Sequence, residues 1–364
     1  MSDTQSLQPD WFSPPGSTIR SAMVRRDIST RDLADQLGLA LSDTRALLLG
    51  DLEIDTGLAK KLAMTIGGSE SFWRNRQMDF VHSLERCLER CAPKDLEGLV
   101  KKLPVKEMRK RGWLNPNVNK AAQALAFFDV RSPDAWLSRY ENRERAVAFR
   151  QSTAWDSDQA ATFVWLRQAE RLASLIECDV WDREGFSTEL QRLRAFTKRK
   201  QPQKFFPELV ERCAKFGVAV VFVPTPPGCH ASGATFFMDG AKAVIVLSFR
   251  HLTDDQFWFS FFHEAAHLVL HDERALFLED ASGVTLEAEK EANDFAANLL
   301  IPKARRPELE SLPARTKSIV RFSVRLGVSP GIVVGQMQHL GVIKHSQMNR
   351  LKRRFSRDEL LEAI

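Results

Sequence analysis

In the stretch FFHEAAHLVLH, Phe261–His271, two histidines stand four residues apart in a largely apolar run, and a glutamate follows the first. On an α-helix residues four apart share a face, so His263 and His267 can hold one ion together if this segment is helical. The surrounding TDDQFWFSFFHEAAHLVLHD fits that demand. It reads as one long helix, with Thr253 at its cap and acids in its first turn. Glu264, beside the pair, can take a proton from a water at the ion, which is the logic of His-Glu-x-x-His. Catalytic zinc takes three protein ligands and keeps one position open, so a third ligand must come from elsewhere in the chain.

A second strong helix, LEAEKEANDFAANLLIP, supplies it and stops at Pro302. Its apolar stripe is Ala292, Phe295, Ala296, Leu299 and Leu300. At about 100° per residue, Glu289 lies roughly 60° from Ala292 and inside that stripe, whereas Glu291 falls at its margin and Glu287 points nearly opposite. A carboxylate in an apolar stripe is costly without a partner, and a metal held by the facing helix provides one. Asn293, four residues on, is placed to hold a ligating histidine from behind. The expected set is therefore His263, His267 and Glu289 on Zn2+, with Glu264 as general base. The competing reading is a buried Glu289–His267 ion pair.

Around these helices the hydrophobic period changes. PELVERCAKFGVAVVFVP reads as a helix followed by a buried strand, and GATFFMDGAKAVIVLS as a hairpin with Asp239-Gly240 in its turn. The order helix, strand, hairpin, helix, helix predicts a small α+β domain over residues 201–340. Before it the chain reads as helical throughout. Residues 1–80 carry five short helices punctuated by Ser, Thr, Asp and Gly, which suits a helix-turn-helix domain, although Ser29/Asp32 and Ser42/Arg45 promise only partial capping. Residues 81–200 read as a helical middle region ending in the basic run QRLRAFTKRKQPQK, taken as a domain boundary. Residues 341–364 read as a helical, docking tail. The fold class expected is α+β, with an all-α N-terminal domain, a helical middle and a C-terminal α+β domain.

Two resemblances follow. TRDLADQLGL, the Gly50 turn, TGLAKKLAMTIG and ESFWRNRQ resemble HigA-like antitoxin domains, over roughly Pro14–Phe80. That resemblance implies that LSDTRALLLG enters the DNA major groove, with Ser42 and Arg45 as candidate contacts, and it makes a homodimer plausible. The chain departs from the pattern there. From Gly38 to Gly57 the only base is Arg45, against Asp43, Asp51, Glu53 and Asp55, and Leu41, Leu48 and Leu49 stand where polar side chains would serve. SGATFFMDGAKAVIVLS, FWFSFFHEAAHLVLH and EKEANDFAANLLIP resemble the ImmA/IrrE metallopeptidases, over about Phe205–Gln338. This resemblance implies a zincin-like domain in which His263, His267 and Glu289 ligate zinc and Glu264 is the base. It also implies that the substrate is a regulatory protein, a repressor or an antitoxin, often itself a helix-turn-helix protein. In zinc peptidases of this build an edge strand holds the substrate extended, and Val244, Ile245, Val246 and Leu247 are the expected strand. For the oxyanion the chain offers Tyr140, its single tyrosine, and His230, Arg250, His251 and His271; the last reads as a surface histidine at a helix end.

Composition limits the alternatives. Hydrophobic content of 44% and charged content of 27% describe a soluble globular chain, and a net charge of +5 permits nucleic-acid contact without demanding it. No apolar run reaches about 18 residues, so no membrane partner is expected. The five scattered cysteines and a polar N-terminus point to a cytoplasmic protein. The rival to a peptidase is a DNA-binding regulator or antitoxin whose zinc domain only senses or stabilises.

Overall fold

The computed structural model describes residues 12–115, 118–146, 157–238, 242–248, 250, 252–271, 277–278 and 286–356. The chain is mostly helical with one small sheet, an α+β fold. It divides into two compact units. The first is Met1–Asn142 with Ala154–Arg171 and Pro226–Gly228; the second is Arg143–Thr153, Leu172–Thr225 and Cys229–Ile364.

The first unit opens with α1 (Pro15–Arg26), α2 (Thr30–Leu37), α3 (Leu41–Leu49), α4 (Thr56–Ile66) and α5 (Glu70–Glu89). Local chemistry sets their ends. Ser29 and Asp32 form a complete capping box, because Asp32 reaches back to the Ser29 N–H at 3.1 Å; the capping is fuller there than the sequence suggests. Asp55 and Ser69 cap α4 and α5, and Gly38 and Gly50 close α2 and α3 in left-handed conformations. Ser42 is not a cap, since α3 begins at Leu41 behind Ala40. α1 and α3 approach so closely that a Cβ on Gly16 would lie 2.7 Å from the Leu47 carbonyl. Leu33, Leu47, Leu48, Leu62 and Trp73 fill the space between the helices. The buried Arg76 ties α5 to the start of α1 through Ser13, Pro14 and Thr18.

A boundary at residue 80 does not survive. α5 runs through it, and Phe80, Ser83, Leu84 and Cys87 continue the buried face. α8 (Lys120–Phe128) packs on α5, and α6 (Pro93–Lys102) packs on α8; α7 (Val105–Lys110) and most of α9 (Pro133–Ala146) and α10 (Ser157–Ala173) belong to the same unit. Arg171 of α10 donates to Asp51 at 2.7 Å and to the Leu49 carbonyl at 3.0 Å, which binds α10 to the end of α3.

The second unit starts earlier than residue 201. α11 (Arg183–Leu193), the 3-10 turn Arg194–Lys198 and α12 (Pro202–Ala214) give Phe186, Leu190, Leu193, Phe196, Phe205 and Phe206 to one core. The basic run is therefore no linker. Arg194 donates to the Leu300 and Leu326 carbonyls, and Arg199 pairs with Glu208. Then come β1 (Val218–Phe222), β2 (Gly233–Met238), β3 (Lys242–Leu247), α13 (Asp254–Leu270), β4 (Phe277–Leu278) and α14 (Leu286–Leu300). α15 (Arg306–Glu310), α16 (Thr316–Leu326) and α17 (Pro330–His339) follow. The sheet order is β1-β3-β2-β4, with β1 and β3 parallel and the other pairs antiparallel. β2 and β3 pair as the hairpin expected, Met238 opposite Lys242, while Asp239-Gly240 lies outside the described residues.

The tail is also different from expectation. Residues 341–356 hold no α-helix; instead the chain lies across the start of α13. Phe355 is buried in the core, its N–H donating to the Leu252 carbonyl at 2.7 Å, and the Asp254 N–H donates to the Arg353 carbonyl at 2.9 Å. Lys352 pairs with Asp255 at 2.5 Å. Residues 357–364 of the expected tail lie outside the described residues. No single helix among the described residues is long and apolar enough to cross a membrane.

Candidate metal centre

α13 is enclosed on nearly every side. Trp258, Phe261, Phe262 and Ala265 are 0% exposed and Leu268 is 1% exposed, and α11, α14, α17, β2 and β3 all touch the helix. Burial of one large apolar side chain stabilises by about 1.5–3 kcal/mol, so this packing can carry three polar side chains into the interior. Those three are His263 at 1%, Glu264 at 0% and His267 at 2% exposure.

α14 brings Glu289 to the same point. The ligand atoms of His263, His267 and Glu289 lie within 4.8 Å of one another. His263 Nε2 and His267 Nε2 are 3.1 Å apart, and the Glu289 oxygens lie 3.2 and 3.6 Å from them. Ligands on a tetrahedral zinc with bonds of about 2.0–2.1 Å stand about 3.3 Å from each other, so the donor set and its spacing fit that ion. Glu289 is more open than its stripe suggests, with 27% of its side chain exposed, which leaves one side of the cluster accessible. Asn293 is where the sequence places it: the His263 Nδ1–H donates to its Oδ1 at 3.1 Å. With Nδ1 protonated, the lone pair of His263 sits on Nε2, facing the cluster.

Burial, then the neighbouring His263 and His271, pushes His267 down to about 3, so it is a neutral imidazole at ordinary pH. The pH consequence has a definite sign. The unfolded chain takes up this proton near the ordinary imidazole value of about 6.5, while the folded chain resists it. The stability gained by keeping His267 neutral is complete above about 6.5 and drains away as pH falls towards 3. Thermal melts of the metal-free protein are expected to show a midpoint that declines through this window, with a shallower decline in His267→Gln. Equal slopes in the two proteins would contradict it.

Glu264 faces the sheet. Its Oε2 accepts a hydrogen bond from Thr235 Oγ1 at 2.7 Å, and the same hydroxyl lies 3.1 Å from the Glu264 carbonyl. A Cβ on Gly233 would overlap Glu264 Oε1 and lie within 2.7 Å of its Cγ and Cδ. Gly233 and Thr235 were not singled out in the sequence. The period of two along β2 puts them on one face, and a glycine in a strand interior is the available signal of close approach.

Three expectations change here. Val244–Leu247 cannot be the substrate strand, because β3 pairs with β1 on one side and β2 on the other, and these residues are at most 1% exposed. His271 is no surface histidine. Its side chain is 12% exposed, and its Nδ1 lies 3.0 Å from His267 Nδ1. Glu291, the rejected third ligand, stands 3.1 Å from His271 Nε2. Of the remaining oxyanion candidates, His230 and Arg250 are exposed and bonded to each other through the His230 carbonyl, while His251 and the Tyr140 side chain lie outside the described residues. In the first unit, Ser42 is exposed and Arg45 half-buried on α3, and burial first, then Arg31, pulls the Arg45 guanidinium down to about 10. Leu48 belongs to the core and not to an outer face.

The peptidase M78 family, described as the IrrE N-terminal-like domain, matches residues 213–335. This span runs from the end of α12 into α17 and contains every residue of the cluster, so an ImmA/IrrE-type, metallopeptidase-type domain is supported there. No curated protein matches the chain.

Proposed function

We propose that this protein is a zinc-dependent endopeptidase of the His-Glu-x-x-His type that cuts a regulatory protein, a repressor or an antitoxin, in the cytoplasm. The observation that carries the reading is the convergence of His263, His267 and Glu289 within 4.8 Å, with the buried Glu264 next to them in sequence. Zinc, when bound, would supply Lewis acidity to polarise a peptide carbonyl and acidify water. The chain's own residues do the rest. Asn293 orients His263, and Thr235 and Gly233 fix the Glu264 carboxylate, which receives a proton from the attacking water and passes it to the leaving amine.

The substrate needs a strand to lie against. With β3 interior, the sheet edge on the Glu264 side is β4, paired to β2 at Ala234 and Thr235, and an extended peptide can add there by β-augmentation. A cavity of about 560 Å³ beside Glu289, walled by Phe259, Asn293, Gln336 and His339, gives room for a substrate side chain. The resemblance to the HigA-like domains supports a first unit that recognises the same repressor, or its operator DNA.

The test is a search for new protein N-termini in an extract of the source cells. Zinc-loaded protein is expected to create termini in a DNA-binding regulatory protein, and a zinc chelator is expected to abolish them. Termini that persist with the chelator, or none with fresh zinc-loaded enzyme, would overturn the proposal.

A further inference from the structure

We infer that His271 and Glu291 form a positioning pair that fixes the ring proton of His267 on Nδ1, so that its Nε2 lone pair is held ready for the metal. The inference rests on the zinc reading of the cluster. His271 touches the cluster at His267, and Glu291 acts through His271.

A carboxylate only accepts hydrogen bonds, so the contact of 3.1 Å between Glu291 Oε2 and His271 Nε2 requires a proton on that nitrogen. When His271 carries that one ring proton alone, its Nδ1 is left as an acceptor. His267 Nδ1 lies 3.0 Å from it, and two lone pairs at that distance would repel, because no ion site lies between these atoms as one does between the two Nε2 atoms. The proton between them therefore belongs to His267. Its other nitrogen, Nε2, is then free of hydrogen, and it points at His263 Nε2 and Glu289, 3.1 and 3.6 Å away. Reversing the chain would put His267 Nε2–H in the place of the ion and turn a His271 lone pair towards the Glu291 carboxylate. Glu291 thus disfavours the tautomer that excludes metal.

The frame around the pair is fixed at both ends. His271 is the C-cap of α13, its N–H donating to the His267 carbonyl at 3.2 Å. Arg183 of α11 donates to the His271 carbonyl at 3.0 Å, so the residue is anchored by a second element. The His267 and His271 rings have centroids 5.1 Å apart with an interplanar angle of 40°. Asn293 performs the same task for His263 from α14. Each histidine of the cluster therefore has its own acceptor behind it, and α14 supplies the end of both arrangements through Asn293 and Glu291.

The test measures zinc affinity by competition with a fluorescent chelator, and ring-proton positions by long-range 15N–1H correlation on histidine-labelled protein. The proteins are the wild type, His271→Ala, Glu291→Ala and Glu291→Gln. Loss of an outer partner of a ligating histidine typically costs about 10–100-fold in metal affinity, and that loss is expected in His271→Ala. Glu291→Ala is expected to weaken binding less and to give a mixture of His267 tautomers in the metal-free protein. Glu291→Gln, whose amide oxygen still accepts, is expected to restore both. Glu291 is largely exposed, so its variants keep the test alive if His271→Ala does not fold. Zinc bound equally by all four proteins, with His267 unchanged in its tautomer, would overturn the pair and leave the zinc site standing. A wild type that binds no zinc would overturn both.

Discussion

Glu289→Ala is expected to strip the zinc from this protein while leaving it folded. Native protein purified without chelator should carry about one zinc per chain by elemental analysis, the stoichiometry of a three-ligand site. Removal of an outer partner already costs about 10–100-fold in affinity, so loss of the anionic member of the three ligands should exceed that range. The substitution is informative because of where Glu289 lies. Its side chain is 27% exposed, so alanine opens no sealed cavity, and the buried face of α14 at Ala292, Ala296 and Leu300 is untouched. Circular dichroism should therefore be unchanged while the metal is gone. Full zinc retention in the variant would mean that another carboxylate, Glu291 first among them, completes the site.

The cluster of His263, His267 and Glu289 was legible because it depends on local periods. His263 and His267 follow from a spacing of four, and Glu289 and Asn293 from the stripe of one helix, so each needed only a few neighbouring residues. The sheet order needed more. Val244–Leu247 is an apolar run, and such runs serve equally well as an edge or in the interior; β3 is interior because β1, more than twenty residues earlier, crosses over to pair parallel with it. His271 failed for a related reason. A histidine at a helix end is ordinarily exposed, and here α11 and α14 reach it through Arg183 and Glu291, which no local pattern shows. The basic run before residue 204 misled because charge is counted alike whether a guanidinium meets water or a carbonyl. Arg194 caps two helix C-terminal carbonyls, Leu300 and Leu326, and so belongs to the core that it was expected to precede. Phe355 was hidden in a stretch whose other residues are mainly charged or polar, and one buried ring among them decides that the tail lies on α13.

Glu264→Gln should abolish cleavage and keep the zinc. A general base contributes about 10²–10⁴-fold, and an amide cannot take the proton, so cleavage of the proposed substrate should fall by that factor. The replacement is close to isosteric, and Thr235 Oγ1 can still donate to the amide oxygen in place of the carboxylate Oε2, so neither packing nor the ligand set is disturbed. Zinc content is therefore the control that separates loss of a base from loss of a site. Gly233→Ala approaches the same end from the other side. Its Cβ would enter the space of the Glu264 carboxylate, 2.7 Å from Cγ and Cδ, and backbone pairing of β2 with β3 gives Gly233 little room to withdraw. The glutamate must move, and a base displaced by an ångström can lose about 10²-fold in rate although it remains chemically intact. The two variants together distinguish the roles: Gln removes the proton acceptor, and Ala keeps it but misplaces it. Cleavage retained in Glu264→Gln would assign the proton transfer to another group. Cleavage retained in Gly233→Ala alone would mean that Thr235 suffices to hold the carboxylate.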